Sequence, residues 1–523
     1  MSGFPTSLFA GKRFAVVGLG RNGLPAAQSL ATMGASVVAW DDNPKAREAA
    51  EVDAGRLGYE VRDPNEGEFA FDALVLSPGI PHIRPRVHPI AARALASGVP
   101  ILTDAELLYQ AVRAAGSSAR FAGITGTNGK STTTALLAHI LKTADVPVAA
   151  GANLGPAALS LPLLPDNGVY VLEMSSYMLE RLATIRFHAA VMLNLSPDHI
   201  ERHGDMEGYA RAKAAVFARQ TEADLAVIGV DDAWPREALR LSGSRAPVVT
   251  ISGGPDADVF CRDGVLCDTN GPILPMAEAP TLPGAHNAQN AAAAAAMATF
   301  LGVSRTYIAA GLRTYPGLPH RQELITTIDG IAFINDSKAT NADSTAWALG
   351  CHDRIVWIAG GMAKEGGIEA LAPYFPRLVQ TFLIGQDAPI LAATLAAHGI
   401  AHQIVGTLDA AVPAALNAAR VGARLATLEA TGAATGASSV APKGTSVGNA
   451  AGAVPGAAPG SLLGAVPDAV RAGAVPGRPS PPVVLLSPAC ASFDQFSGFD
   501  ARGDRFAALA RALAQLPPAT GGA

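Results

Sequence analysis

The apolar run Phe121–Thr125 leads directly into Gly126-Thr127-Asn128-Gly129-Lys130-Ser131, and a helical pattern over Thr132–Lys142 follows at once. A strand that turns through glycines into a helix is the first arm of a parallel α/β sheet, because the helix folds back to bury its apolar stripe on the strand. The turn has the composition of a phosphate loop. Its backbone N–H groups can cradle phosphate oxygens at a helix N-terminus, Lys130 can reach the outer phosphates, and the Ser131 hydroxyl can ligate Mg²⁺. Ile124 stands where the common form of this loop has its first glycine. The pattern points to hydrolysis of ATP or GTP.

The same construction occurs earlier in the chain. Arg13–Val17 is a short apolar strand, Gly18-Leu19-Gly20-Arg21-Asn22-Gly23 a tight turn, and Leu24–Met33 a helix ended by Gly34. Ser36–Trp40 is a second strand, closed by Asp41. This is the G-x-G-x-x-G fingerprint with its downstream acid. Taken alone it fits a nicotinamide dinucleotide, another nucleotide, or a turn that is only structural. Ala73–Leu76 is a further strand, running into Ser77-Pro78-Gly79-Ile80.

Strands at Val169–Glu173 and Ala189–Leu195 end in polar residues, and a third set follows at Ile331–Asn335, Ile355–Ala359, Phe382–Ile384 and Val483–Leu486. Between the sets, Arg313–His320 carries two prolines and a glycine, the composition of a hinge. With 523 residues the chain is too long for one core. The expected fold class is α/β in three domains: Rossmann-like over 1–112, a P-loop ATPase over 113–317, and Rossmann-like again over 318–523. From Ala430 to Ser480 the composition collapses mostly to Ala, Gly, Pro, Ser and Val, which predicts a disordered insertion without chemistry.

Composition narrows the classes. Both charge signs are scattered and the net charge is −5, so no basic stripe for nucleic acid and no polybasic anchor is expected. No run approaches the ~18–20 apolar residues of a membrane span, and Met1–Pro5 lacks a basic segment followed by an apolar one. Cys261, Cys267, Cys351 and Cys490 form no C-x-x-C pair and read as reduced cytoplasmic thiols.

Three single residues can be weighed on physics alone. Glu173 closes a strand, where an acid can join a magnesium shell. His199, after Asn194-Leu195-Ser196-Pro197-Asp198, reads as a hydrogen-bonded structural group or as a ligand. Lys213, on a helix expected over Tyr209–Phe217, reads as a solvated lysine.

Several long motifs then occur in one order: GTNGKSTTT at Gly126–Thr134, EMSSYMLE at Glu173–Glu180, NLSPDHIER at Asn194–Arg202, YARAK at Tyr209–Lys213, LPGAHNAQN at Leu282–Asn290 and GLPHR at Gly317–Arg321. Together they resemble the Mur ligase family. NDSKATN at Asn335–Asn341, GGMAK at Gly360–Lys364 and SPACASFDQF at Ser487–Phe496 resemble its D-glutamate-adding branch.

The resemblance implies ATP-dependent ligation of D-glutamate to UDP-N-acetylmuramoyl-L-alanine through an acyl phosphate, in peptidoglycan precursor synthesis, by a cytoplasmic monomer. It assigns ATP to Gly126, Thr127, Asn128, Gly129, Lys130, Ser131, Thr132, Asn287, Arg321 and Asp336. Two Mg²⁺ ions fall to Ser131, Glu173, His199 and Lys213, with Lys213 carbamylated and Lys130, His199 and Lys213 catalytic. The UDP substrate falls to Gly18, Arg21, Asn22, Asp41, Ser77, Gly79 and Asn153, although Arg21, Asn22 and Asn43 depart from the usual residues there, as Met178 does from a common glutamine. D-glutamate falls to Thr340, Lys364 and Ser492 with Phe499, and Lys338 to the third domain swinging about Pro316–Pro319. The alternatives are a sibling ligase adding another amino acid, a folate polyglutamating enzyme, a nicotinamide dehydrogenase and a non-catalytic nucleotide-gated protein. Folate enzymes lack a domain like 1–112, a dehydrogenase leaves the phosphate loop unexplained, and the Lys130, Glu173, His199 and Lys213 set argues against a protein that only binds.

Overall fold

The computed structural model describes residues 3–364, 366–435 and 482–515, which divide into two units, Met1–Pro316 and Gly317–Ala523. The division falls inside the Pro- and Gly-containing stretch that reads as a hinge.

The first unit contains two sheets. Strands β1 (Arg13–Val17), β2 (Ser36–Trp40), β3 (Glu60–Val61), β4 (Ala73–Leu76) and β5 (Ile101–Leu102) form a parallel sheet in the order β3-β2-β1-β4-β5. The second sheet is built from β6 (Arg120–Thr125), β7 (Val148–Ala152), β8 (Val169–Glu173), β9 (Ala189–Met192), β10 (Leu225–Gly229), β11 (Val248–Ile251), β12 (Val259–Arg262), β13 (Val265–Asp268) and β14 (Gly271–Pro275). Its order is β14-β13-β12-β11-β10-β9-β6-β8-β7, parallel except for the antiparallel ribbon β12-β13-β14 at one edge. In each sheet the strand that feeds a glycine turn has parallel neighbours from which the strand order continues to opposite sides. A crevice therefore opens at the carboxyl ends of β1 and β4, and another at those of β6, β8 and β9, where ligands gather in such sheets.

One apolar core joins the two sheets. Leu107, Leu108 and Val112 of helix Asp104–Ala114 are buried in the same cluster as Phe14, Phe121 and Tyr170. Phe121 stacks on Tyr170 at 4.7 Å between centroids and takes Tyr109 edge-on at 5.1 Å. On the other face of the second sheet lies helix Ala285–Phe300, whose residues Ala291–Ala298 are all buried. The alanine that raises the chain's mean hydropathy here lets a helix lie close to its neighbours on every side.

The second unit is a mixed six-stranded sheet of β15 (Glu323–Ile328), β16 (Ile331–Asn335), β17 (Ile355–Gly360), β19 (Leu378–Ile384), β20 (His402–Gly406) and β21 (Val483–Leu486), with a two-stranded ribbon of β18 (Met362–Ala363) and β22 (Cys490–Ala491). The order is β15-β16-β21-β17-β19-β20, antiparallel only between β15 and β16. The last strand of the six-stranded sheet in chain order, β21, thus lies in its middle. Helices Leu408–Thr435 and Phe499–Gln515 pack on one face, around Phe333, Phe382, Val484 and Phe506.

The structure is α/β, as expected. The segment expected to be disordered lies outside the described residues from 436 on, while 430–435 continue helix Leu408–Thr435. The helix expected over Tyr209–Phe217 runs instead over Met206–Ala214, because Asp205 caps it by accepting from the Gly208 N–H at 2.7 Å. Strand β9 stops at Met192, short of the expected Leu195, since Asn194 turns to hold the phosphate loop. Strands β3, β5, β7, β10–β15, β18, β20 and β22 were not among those expected. Among the described residues no helix is long and apolar enough to cross a membrane.

Candidate active site

The first glycine turn is a close-packed joint. Gly18 has φ +89, and a Cβ there would stand 2.6 Å from Ser77 Cβ. A Cβ on Gly23 would stand 1.8 Å from the Gly18 carbonyl oxygen. Ser77 Oγ donates to that oxygen at 2.6 Å, so the turns after β1 and β4 are tied together. Asp41 accepts from the Leu19 N–H at 2.6 Å and the Asn43 N–H at 2.8 Å. Beside it Arg47 lies over the Trp40 ring at 4.4 Å and donates to the Asp41 carbonyl at 2.6 Å, placing a cation near position 43 from one helical turn away.

Arg21 and Asn22 reach across to the second sheet. Arg21 Nη2 donates to the Gly155 carbonyl at 2.9 Å, and Asn22 Nδ2 to Asp104 Oδ2 at 3.2 Å and the Ala152 carbonyl at 3.4 Å. Asp104 also accepts from the Ala158 N–H at 2.8 Å, and burial pushes its carboxyl up to about 6. Its neighbour Glu106 accepts from the N–H groups of Ala183, Thr184 and Ile185 at 2.8–3.1 Å. Gly79 is exposed on the loop after β4.

The second glycine turn caps helix Lys130–Thr143, with Gly129 at φ +83 as N-cap. A Cβ on Gly129 would meet Asn290 Oδ1 at 2.3 Å, so only glycine fits. The loop is strapped to the end of β9: Thr127 N–H donates to the Asn194 carbonyl at 2.9 Å and Asn128 N–H to Asn194 Oδ1 at 2.8 Å. Lys130 Nζ folds onto the Gly126 and Thr127 carbonyls at 2.9 and 2.7 Å. Ser131 and Thr132 are buried at the helix start. Asn287 joins the loop through Asn290, whose Nδ2 donates to Asn287 Oδ1 at 3.1 Å while its Oδ1 accepts from Thr133 at 3.2 Å.

Lys213 corrects the solvated reading. It is 1% exposed, and its Nζ donates to the Gly126 carbonyl at 2.8 Å and Thr125 Oγ1 at 3.2 Å. Burial, and then the charge of Lys130, hold its pKa well below that of an ordinary lysine. Asp198 and Glu173 oppose the shift without cancelling it. Glu173 is 2% exposed; its Oε1 accepts from Asn153 Nδ2 at 2.6 Å, and its Oε2 is buried with no hydrogen-bond partner. His199 sits at φ +52 with Nδ1 2.9 Å from the Tyr177 hydroxyl. Burial lowers its pKa, Asp198 and Glu201 pull it up, and the Lys213 charge reaches it too. Lys130, Glu173, His199, Lys213 and Asn153 are thus brought to one crevice.

In the second unit the loops after β16, β17 and β21 converge. Asp336 is buried, accepts from Ser487 Oγ at 2.8 Å and from Gln322 N–H at 3.2 Å, and burial pushes its carboxyl up to about 6. Arg321 Nε is buried without a hydrogen-bond partner. Lys338 Nζ lies over the Phe499 ring at 5.8 Å. Thr340 N–H donates to the Lys338 carbonyl at 3.0 Å, Ser492 is 2% exposed, and Lys364 is exposed. Arg502, which carries no motif, ties the three loops: it donates to the Ser337 carbonyl at 2.9 Å, Cys490 carbonyl at 3.1 Å and Gly360 carbonyl at 3.4 Å. Asp104, Glu106 and Arg502 escape sequence reasoning because a buried charge that serves distant backbone looks locally like any helix-surface charge.

Comparisons with known proteins bear on the family and the fold. The Mur ligase middle domain family matches residues 124–298. The UDP-N-acetylmuramoylalanine–D-glutamate ligase of Paramagnetospirillum magneticum is 43% identical over 512 residues, covering 97% of this chain and 98% of that protein. The protein of the same name from Caulobacter vibrioides is 40% identical over 520 residues, covering 97% and 98%. The crystal structure of UDP-N-acetylmuramate–alanine ligase from Thermotoga maritima, at 16% identity, matches with a TM-score of 0.53 over 96% of this chain and 99% of that one, a likeness of fold.

Proposed function

The chain belongs to the Mur ligase family, and from that premise we propose that it ligates D-glutamate to UDP-N-acetylmuramoyl-L-alanine with ATP, releasing ADP and phosphate. The observation that carries the chemistry is the burial, beside one phosphate loop, of Lys213, whose Nζ bonds the Gly126 carbonyl, and of a Glu173 Oε2 with no hydrogen-bond partner. A carboxylate oxygen buried without a donor is suited to a cation, and Ser131 places a hydroxyl at the start of helix Lys130–Thr143. Among the described residues no group of three or more His, Cys, Asp or Glu could hold a metal by itself. Mg²⁺ takes one or two carboxylates and completes its shell with water and substrate phosphates. A neutral Lys213 amine can add CO₂, forming an N–C bond and releasing a proton. The resulting carbamate would supply oxygens to a second Mg²⁺ beside His199. When bound, the cations offset the repulsion between two anionic reactants.

The chain's own groups have distinct tasks in this reading. The amides from Gly129 to Thr132 at the helix start and the Lys130 ammonium hold the ATP phosphates in line with the substrate carboxylate, while Asn194 keeps the Thr127 and Asn128 amides. That carboxylate attacks the γ-phosphorus, ADP leaves, and an acyl phosphate forms. Asn153 orients the carboxylate from its bond with Glu173, while Gly18, Arg21, Asn22, Asp41, Ser77 and Gly79 bound the pocket of the UDP portion. Asn287, Arg321 and Asp336 address the nucleotide. Thr340, Lys364, Ser492 and Phe499 hold D-glutamate, whose amine attacks the acyl carbon; phosphate leaves and the amide remains. Lys338 and Lys364 stabilise the anionic oxygens that develop. The enzyme is, in this reading, a cytoplasmic monomer. In this reading residues 1–112, 113–317 and 318–523 divide the work as UDP-substrate, ATPase and D-glutamate domains.

The test is phosphate release with ATP, Mg²⁺ and UDP-N-acetylmuramoyl-L-alanine, adding amino acids singly. D-glutamate alone should support turnover. Turnover with L-alanine or a diamino acid, and none with D-glutamate, would make the chain a sibling ligase.

A further inference from the structure

We infer that Arg181 is a positioning residue for the UDP-bearing substrate, an inference that rests on reading the turns after β1 and β4 as that substrate's pocket. Arg181 follows helix Ser176–Leu179 in the nucleotide-binding part of the unit and is 3% exposed. Its guanidinium is spent on a loop of the other sheet. Nη1 donates to the Leu76 carbonyl at 2.7 Å and the Ser77 carbonyl at 3.0 Å, Nη2 to the Ile80 carbonyl, and Nε to His82 Nδ1 at 3.1 Å. None of these acceptors is a carboxylate. His82 can accept because its ring is neutral: burial, with two guanidiniums beside it, brings its pKa down to about 4. Arg202 steadies the same ring at 3.0 Å and is itself held by Glu180 at 2.9 Å.

What this clamp controls follows from the loop's donors. Pro78 and Pro81 have no N–H. The Ser77 N–H goes to the Val17 carbonyl at 2.9 Å and the Ile80 N–H to the Ser77 carbonyl at 3.0 Å. Gly79 N–H is left as the donor of residues 77–81 with no intramolecular acceptor among the described residues. The carbonyls of Ser77 and Ile80 bracket that peptide, and one guanidinium holds both. Through Ser77 Oγ the same clamp reaches the Gly18 carbonyl and hence the first glycine turn. Arg181 thus fixes the direction in which the loop can address an anionic diphosphate, and it places a cation behind it.

The experiment compares the full chain with Arg181→Met, which keeps a long apolar stem but removes charge and donors. Affinity for UDP-N-acetylmuramoyl-L-alanine and for a non-hydrolysable ATP analogue is measured by calorimetry, with KM and kcat in parallel. Loss of the clamp should raise Kd and KM for the UDP substrate about tenfold or more, while ATP-analogue affinity and kcat at saturation stay within about threefold. Arg181→Lys, with its charge and three donors, should recover part of the loss. Unchanged affinity for the UDP substrate in Arg181→Met overturns the inference, and so does an equal loss for both ligands, which would mark a packing role. If Arg181→Met does not fold, Arg181→Gln and Arg181→Lys carry the same comparison. Failure of the wild type to bind the UDP substrate would instead sink the reading of the pocket, and this inference with it.

Discussion

Lys213 is an amine kept from water and faced by another cation, so its surroundings favour a form other than the ammonium. Replacing it should show whether that form does chemistry. Lys213→Ala should lose about a hundredfold or more in phosphate release, with acetate restoring part of it; wild-type rates without additive would return the residue to a packing role. Asp104 tests burial in a different way. Its carboxyl titrates near 3.8 when unfolded but at about 6 in the fold, so between those values the folded state holds the extra proton. Stability from this group is therefore present at acid pH and falls as pH rises from about 4 to about 6, by on the order of 3 kcal/mol. Asp104→Asn should gain in melting temperature relative to wild type as pH goes from about 4 to about 6 and hold a level offset above that, and an offset that stays unchanged between about pH 4 and 6 would refute that account. Lys130, Glu173 and His199 were legible because motifs carry them. Lys213 was legible through its motif alone, since its burial depends on Tyr209 and the loop carbonyls around it. Asp104 and Arg181 were not legible at all, because their partners lie far along the chain.

The strands were the more readable elements. β1, β2, β4, β8, β16 and β21 begin and end where the sequence places them, because each is a short apolar run closed by a turn or polar residue. Helix ends were harder. Asp205 is a sound capping residue, yet the apolar pattern drew the expected helix toward Phe217. β12–β14 escaped notice because their edge ribbon is half-exposed and alternates weakly, as in Val259-Phe260-Cys261-Arg262. The junction of β6 with helix Lys130–Thr143 gives a sharp check of element geometry. Gly129→Ala must adopt φ +83 and push its Cβ toward Asn290 Oδ1, which should move the helix start and cut ATP turnover about a hundredfold with the protein still folded. Circular dichroism and ATP-analogue calorimetry would check this, and affinity within about twofold of wild type would show that the loop has slack.

The two units carry separate cores, and the boundary at Pro316 and Gly317 lies within the stretch that sequence marks as a hinge. If the proposed roles are right, Met1–Pro316 made alone should bind UDP-N-acetylmuramoyl-L-alanine within about threefold of the full chain, yet release no phosphate with D-glutamate. Persistent D-glutamate-dependent turnover in that fragment would remove the second unit from the chemistry. A different consequence follows from the place of β21. It is laid between β16 and β17, although it is made long after both. A nascent chain therefore exposes two unpaired strand edges until the ribosome has delivered Val483–Leu486, and only then can the middle of the sheet close. Non-local pairing of this kind is slow and open to aggregation while it waits. The sheet of the second unit is thus completed at its middle by its last strand, and a chain that terminates early loses the centre of that sheet together with the loop that leads to Ser492.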